Sequence, residues 1–281
     1  MTNENNAPLV SVIMSVYNGE KYLEGCIESI LKQTFQDFEF IIINDCSTDM
    51  TADILHGFEE DRRFIIIHNS ENIGLTKSLN KALSLARSSY IARMDVDDLS
   101  LPDRLDTQYR FMKKNTEVGV VGSSYYEINE EGAVIGEVIL PEKDGDIRAK
   151  ILRLNPFNHS AVMVRKSALN DSGAYNEKFV YSQDYELWFR ILRKHKGYNI
   201  QEKLIMKRNP AGSVTVSKKR KQIGFTIRAV NSGKKYFKAA IKDEIQQFKY
   251  YMIFITPQTL LNIMRCLRDR FRNKNYYIVR F

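Results

Sequence analysis

The sequence predicts an α/β protein: a Rossmann-like, mostly parallel sheet with helices on both faces, followed by a basic helical extension at the C-terminus. Three observations carry the prediction. Apolar runs of strand length alternate with amphipathic stretches of helix length through the first part of the chain. These runs are apolar almost throughout, as strands covered on both faces are. The basic residues crowd into the end of the chain, apart from the body.

Leu9 to Val16 is the first strand. Glu20 to Thr34 puts Tyr22, Leu23, Cys26, Ile27, Ile30 and Leu31 on one stripe, the spacing of an amphipathic helix. Phe38 to Ile43 is the second strand, Thr51 to Glu60 a helix, and Phe64 to His68 the third strand. Leu75, Leu79, Ala82, Leu83 and Ala86 mark the next helix, and Tyr90 to Met94 a fourth strand. Strands and helices in this alternation imply β-α-β units and a parallel sheet, with ligands beyond the carboxyl ends of its strands.

From Pro102 the rhythm changes. A helix to about Asn115 precedes a strand at Val118 to Gly122. A hairpin over Tyr125 to Leu140 turns at Asn129-Glu130-Glu131-Gly132. A short helix near Asp146 to Leu154 leads to Asn158-His159-Ser160 and a strand from Ala161 to Val164. Ser182 is positioned to cap a helix running to about His195, and Leu204 to Lys207 is the last clear extended piece. The expected organisation is one body over residues 8–217, in halves 8–100 and 101–217, and an extension over 218–281.

The formal net charge of +8 conceals a division. Up to Ser217 there are 26 Lys and Arg against 31 Asp and Glu; from Lys218 on there are 16 against 3. A basic tail on an acidic body points to an anionic surface, lipid or nucleic acid, as the tail's partner. Tyr250 to Phe254 and Thr259 to Met264 supply an apolar face around Pro257, flanked by Arg265, Arg268, Arg270 and Arg272. Such a stretch either lies in a membrane interface or packs on the body with its arginines in solvent. No run approaches the roughly 18 apolar residues of a membrane span. Met1 to Ala7 has neither a basic nor an apolar region of a secretory signal. Cys26, Cys46 and Cys266 form no C-x-x-C, so neither a disulfide framework nor a zinc site is expected. The expectation is a cytoplasmic protein, peripheral on the inner face of the plasma membrane if the tail binds lipid.

The most informative motif is Asp95-Val96-Asp97-Asp98, directly after the strand Tyr90-Ile91-Ala92-Arg93-Met94. Alternate residues leaving a strand tip aim carboxylates into one pocket, at a cost unless a cation neutralises them. Mg²⁺ and Mn²⁺ prefer such oxygen ligands and leave positions open for phosphate oxygens. A lone D-x-D is more often an acidic turn before a helix. Two other strand ends are polar as well, running into Ser15-Val16-Tyr17-Asn18-Gly19 and into Asn44-Asp45-Cys46-Ser47-Thr48-Asp49. There Tyr17 offers a ring for a base to stack on, and Asp45 offers acceptors for its edge.

Taken in order, these motifs with Asn72-Ile73-Gly74-Leu75 and Gln183-Asp184-Tyr185-Glu186-Leu187-Trp188 closely resemble glycosyltransferase family 2, over roughly Pro8 to Thr215. The resemblance implies a GT-A fold, with a nucleotide-sugar-binding half over 8–100 and an acceptor-binding half over 101–217. It also implies a nucleoside-diphosphate sugar donor, UDP-sugar favoured, inversion at the anomeric carbon, and Mn²⁺ or Mg²⁺. By resemblance Ser15, Tyr17, Asn18, Asp45 and Asp97 bind the nucleotide, and Asp97 and Asp98 the metal, which of the two ligates directly staying open. Lys77, Arg93, Asp95 and His159 are candidates at the donor sugar or phosphates. A solvated lysine is the commoner fate of a residue like Lys77, and a satisfied buried histidine that of one like His159. Asp184 resembles the catalytic base, although an acidic first turn at a helix start accounts for it equally well. Trp188 reads as core.

One position departs from the family. After Leu204-Ile205-Met206-Lys207-Arg208 many relatives place a histidine that completes the metal site, and here Asn209 takes that place. By family analogy the acceptor is a glycan or lipid-linked glycan in bacterial surface polysaccharide synthesis. A sugar nucleotidyltransferase would carry a glycine-rich, Arg- and Lys-containing loop after the first strand; Tyr17-Asn18-Gly19-Glu20-Lys21 is not one. A basic nucleic-acid-binding protein is suggested by the pI of 9.2 alone, and the acidic strand tips speak against it.

Overall fold

A computed structural model describes residues 7–209 and 216–256. The alternation of the first half is realised in it. Strands β1 (Val10–Val16), β2 (Phe38–Asn44), β3 (Phe64–His68) and β4 (Tyr90–Arg93) pair in parallel in the order β3-β2-β1-β4. Helices α1 (Leu23–Leu31), α2 (Thr51–His56) and α3 (Leu75–Leu85) connect them. The chain steps outward from β1 to β3 and then returns to the other flank of β1, so β1 and β4 bracket a topological switch point. Val10, Val12, Met14, Phe40 and Ile42 pack under α1, while Ile13, Ile41 and Ile43 pack with Leu79 and Ala82 of α3. Both faces of these strands are therefore core, which is why their sequence does not alternate.

Beyond β4 come β5 (Leu99–Ser100), α4 (Arg104–Lys114), β6 (Val118–Ile128), β7 (Val134–Val138) and α5 (Asp144–Lys150). A 3₁₀ turn at His159–Ala161, β8 (Met163–Arg165), α6 (Lys166–Ser172), α7 (Gln183–Ile191) and β9 (Lys196–Arg208) follow. The sheet continues from β4 through β8, β6 and β9 to β5, with β7 on β6. Here pairing is mixed: β8 is antiparallel to both neighbours, whereas β6 and β9 run parallel.

Several elements differ from expectation. β6 runs past Gly122 to Ile128, and β9 begins at Lys196 rather than Leu204. Buried Ser123, Ser124 and Asn199 interrupt the apolar pattern, and bulges shift the register between Ser123 and Tyr125. Local periodicity hides such strands; their mutual pairing makes them. The helices α1, α2 and α7 are shorter than expected, and α6 was not foreseen. Ser182 does not cap α7. It takes a left-handed φ of 54°, and its hydroxyl shares a hydrogen bond with Thr226 Oγ1 at 3.0 Å instead.

The extension forms α8 (Val216–Gly233) and α9 (Ile241–Ile255). Ala229, Val230 and Phe237 join the cluster that holds Leu187 and Trp188, and the rings of Phe237 and Phe189 are 5.7 Å apart. α9 rests on α8 through Arg220 Nε to Phe254 O at 2.7 Å and Asn231 Nδ2 to Tyr251 O–H at 3.0 Å. α8 thus packs on the body, whereas the stretch Tyr250 to Phe254, to which the two readings apply, lies in α9 with Tyr251, Met252, Ile253 and Phe254 exposed. Thr259 to Met264 and the arginines from Arg265 on lie outside the described residues. Among the described residues no helix is long and apolar enough to cross a membrane.

Candidate active site

The carboxyl ends of β1, β2 and β4 open into a cleft of about 940 Å³. Its first wall is the loop Asn72 to Gly74 with Tyr17, Asp45 and Lys77; its floor carries Arg93, Asp95, His159 and Lys207. The far wall comes from Asp184 at the start of α7 and from Tyr181, Gln222, Thr226 and Tyr250.

At the end of the cleft formed by β1 and β2, Asp45 is buried at the tip of β2. Its Oδ1 accepts from Asn69 Nδ2 at 2.8 Å and Ile73 N at 3.0 Å, and its Oδ2 from Gly74 N at 2.8 Å. Gly74 has a φ of 88° and a ψ of 153°, a region open to glycine and strained for other residues. The Asp45 carboxylate thus fixes the loop and keeps about one lone-pair site spare, on Oδ2. Tyr17, 51% exposed, presents its ring beside it. Asn18 is turned into the scaffold: Oδ1 accepts from Thr48 N at 2.9 Å, and its own N donates to Ser47 Oγ at 3.0 Å. Ser15 is a half-buried residue of β1 opposite Ile43. Neither is among the residues that line the cleft. Lys77 is exposed on α3 and does line the cleft.

At the tip of β4, carboxylate oxygens of Asp95, Asp97 and Asp98 lie within 4.8 Å of one another. Asp95 faces the cleft and is ion-paired with the buried Arg93 guanidinium. Asp97 is half-buried. Asp98 is only 2% exposed, its Oδ1 accepting from Arg208 N at 2.8 Å. Burial and the neighbouring Asp95 push the Asp97 carboxyl up, and burial with Asp95 and Asp97 pushes Asp98 up to about 7. The loop is held rigidly from below. Arg104 donates Nη2 to Arg93 O at 2.7 Å and to Val162 O at 3.2 Å, and Arg208 donates Nε to Asp97 O at 2.9 Å. Crowded, buried, mutually repelling carboxylates on a fixed loop are the donor set of a hard divalent cation, and the residues present fit one. Asn209 is exposed just past β9, its backbone N donating to Ile128 O.

Across the cleft, Asp184 sits in the first turn of α7. Asn155 Nδ2 donates to its Oδ2 at 2.7 Å. Burial raises the Asp184 carboxyl above the ordinary range, against the bonds from Tyr185 N and Asn155. His159 accepts or donates at Nε2 with the Tyr175 hydroxyl at 2.7 Å, and burial pushes it well down, so it is neutral. Trp188 is fully buried against Phe157, as its sequence position suggested.

Several cleft residues escaped sequence reasoning, Asn155, Lys207, Gln222 and Thr226 among them. Asn155 lies in a segment with no periodicity, and Lys207 reads as one more lysine on a strand. An alternation count along β9 is the signal for Lys207, since it places Lys207 and Arg208 on opposite faces.

The sequence profile of Glycosyl transferase family 2 matches residues 11–172. An uncharacterized glycosyltransferase of Methanocaldococcus jannaschii is 34% identical over 96% of this chain and 97% of its own. The O-antigen biosynthesis glycosyltransferase WbnJ of Escherichia coli is 38% identical over 66% of this chain and 72% of its own. Among solved structures, S. aureus TarS 1–349 in complex with UDP-GlcNAc aligns with a TM-score of 0.65 at 18% identity, over 88% of this chain and 71% of that one. The mannosyltransferase PcManGT of Pyrobaculum calidifontis, in complex with GDP-Man and Mn²⁺, aligns at 0.66 and 16% identity, over 90% and 71%. These last two likenesses are likenesses of fold. The fold is GT-A, and the chain belongs to glycosyl transferase family 2: it is a glycosyltransferase.

Proposed function

We propose that this enzyme moves a sugar, with inversion, from a nucleoside-diphosphate sugar to a hydroxyl of a glycan or lipid-linked glycan in the synthesis of a surface polysaccharide. UDP-sugar is the favoured donor. The observation that carries the reading is one cleft lined both by Asp95, of the acidic cluster at the tip of β4, and by Asp184 of α7, a carboxylate raised by burial. The likeness to the O-antigen enzyme WbnJ supports the product class, and the complexes of TarS with UDP-GlcNAc and of PcManGT with GDP-Man support a nucleotide-sugar donor.

In this reading the base stacks on Tyr17 and bonds to Asp45, with Ser15 and Asn18 holding the rim. Asp97 and Asp98, with Asp95 at the open edge, hold Mn²⁺ or Mg²⁺, which offsets negative charge on the departing diphosphate. Lys77, Arg93 and His159 border the phosphates and donor sugar. The acceptor hydroxyl comes from the α7–α8 side and gives its proton to Asp184 as it attacks from the face opposite the leaving group. One carboxylate suffices, because an inverting displacement needs no protein nucleophile. Residues 8–217 act as the catalytic unit, and Gln222, Thr226 and Tyr250 lend it an acceptor wall from the extension.

The extension also offers a lipid-facing surface. Ile241, Ile245, Phe248, Met252 and Ile255 fall on one stripe of α9 and are 81%, 52%, 65%, 42% and 61% exposed. Arg220, Lys221, Lys242 and Lys249 lie on the same helix pair, which suits an anionic bilayer at the inner face of the plasma membrane.

The direct test is thermal stabilisation by UDP- and GDP-sugars with Mn²⁺ and with EDTA. A donor at 100 times its Kd adds about 2.7 kcal/mol of stability. No metal-assisted shift with any nucleotide sugar would reject the reading.

A further inference from the structure

We propose that Lys207 is the protein's own clamp for the diphosphate of the donor, sharing with the acidic cluster the task of holding the leaving group. The assignment rests on the donor reading above and adds to it a residue and a role.

The argument starts from two neighbouring cations at the end of β9. Arg208 is tied to the scaffold through Nε and Nη1. It donates Nε to Asp97 O, and Nη1 to Asn129 O and Glu130 O at 2.7 and 2.6 Å, and it lies 4.5 Å from the ring centroid of Tyr22. Lys207 is its opposite. Strand alternation turns it to the other face, into the cleft between Asp95 and Asp184. Its Nζ is 5.5 Å from the centroid of the Tyr125 ring, and it makes no hydrogen bond or ion pair with any described residue.

A half-buried ammonium with no direct acceptor leaves its three donors unsatisfied, and a ligand's anionic oxygens can satisfy them. Burial works against its charge, but Tyr125, Asp98, Asp95 and Asp184 outweigh burial and hold the ammonium above its ordinary range. It stays a cation at any physiological pH. Asp95 is already paired with Arg93, and Asp98 accepts from Arg208 N. A ligand carrying two phosphates, lying across the acidic tip of β4, brings the anionic oxygens that Lys207 lacks. Three donors on a flexible stem suit phosphate oxygens whose charge grows as the sugar leaves.

The test is calorimetry of UDP, GDP, uridine and guanosine on the full chain, each with Mn²⁺ and with EDTA, for wild type, Lys207→Met, Lys207→Gln and Lys207→Arg. The neutral variants are expected to lose about tenfold or more in nucleoside-diphosphate affinity. Nucleoside affinity should not change, Lys207→Arg should restore most of the loss, and the deficit should be larger in EDTA. Unchanged diphosphate affinity in a folded Lys207→Met or Lys207→Gln overturns the assignment. So does an equal loss for the nucleoside, which would mark a merely structural lysine. A wild type that takes up neither nucleoside diphosphate sinks the donor reading itself, and this assignment with it.

Discussion

At the nucleotide end of the cleft the polar side chains are committed to one another, whereas at the far end several face the cleft unengaged. Asp45 accepts three hydrogen bonds, Asn18 and Ser47 tie the first two strand-tip loops together, and Gly19 N donates to Thr51 Oγ1. Gly19 also admits no side chain, since a Cβ there would meet Val16 Cγ2 at 2.5 Å. On the opposite side Gln222 and Tyr250 line the cleft and make no side-chain hydrogen bond with described residues. A prewired pocket suits a ligand portion that every turnover repeats, such as a nucleotide. Unengaged amide and hydroxyl groups suit a partner whose shape differs among enzymes. The family profile ends at residue 172, before α7, α8 and α9, so the far wall is built largely by chain beyond the residues that the profile matches.

The sharpest way to break this comparison is Asp184→Asn. It should lower kcat by about 10²–10⁴-fold while leaving donor affinity unchanged, because general-base assistance is worth that much. Steady-state kinetics with donor calorimetry decides it, and full activity would remove Asp184 from the chemistry.

Gly74→Ala probes the prewired end. Forcing alanine into this conformation should cost about 1–3 kcal/mol in a denaturant melt and weaken nucleotide binding by releasing the Asp45 loop. At the unengaged end, Gln222→Ala should raise the acceptor KM by about 2–10-fold, the worth of one hydrogen bond, with donor KM and stability unmoved. A larger change in donor KM would show that the two ends are not separate.

The smallest effect concerns pH. Asp184 must be ionised to act, and its pKa is raised, chiefly by burial. Activity should therefore fall as pH drops through a value above the ordinary carboxylate range. The Asn155 bond favours the charged form, so Asn155→Ala should move this acid limb to higher pH. A limb that moves down, or not at all, argues that Asn155 does not hold the base.

The nucleotide end was legible in the sequence because each of its parts is local. A buried strand, a polar tip and an amphipathic helix follow one another within a few dozen residues, and their order fixes the switch point. Asp95, Asp97 and Asp98 could be placed at a strand end for that reason. The second half was harder to read. β6 and β9 are strands because they pair with each other across a long sequence separation, through buried Ser123, Ser124 and Asn199 that look like loop residues. Ser182 looked like a cap because its chemistry is right, but Thr226 lies near enough to take its hydroxyl.

By itself, then, the order of residues determined the parallel half of the sheet, the identity of the acidic tip, the polar ends of β1 and β2, and the segregation of positive charge. Those properties depend on side-chain period and on what a residue type can bind. Only the tertiary structure decided that Asp184 shares one cleft with Asp95, that Lys207 lines it with no hydrogen bond or ion pair to a described residue, and that α8 closes the far wall. Each of these is a contact between distant segments, and burial and geometry, rather than composition, set its energy.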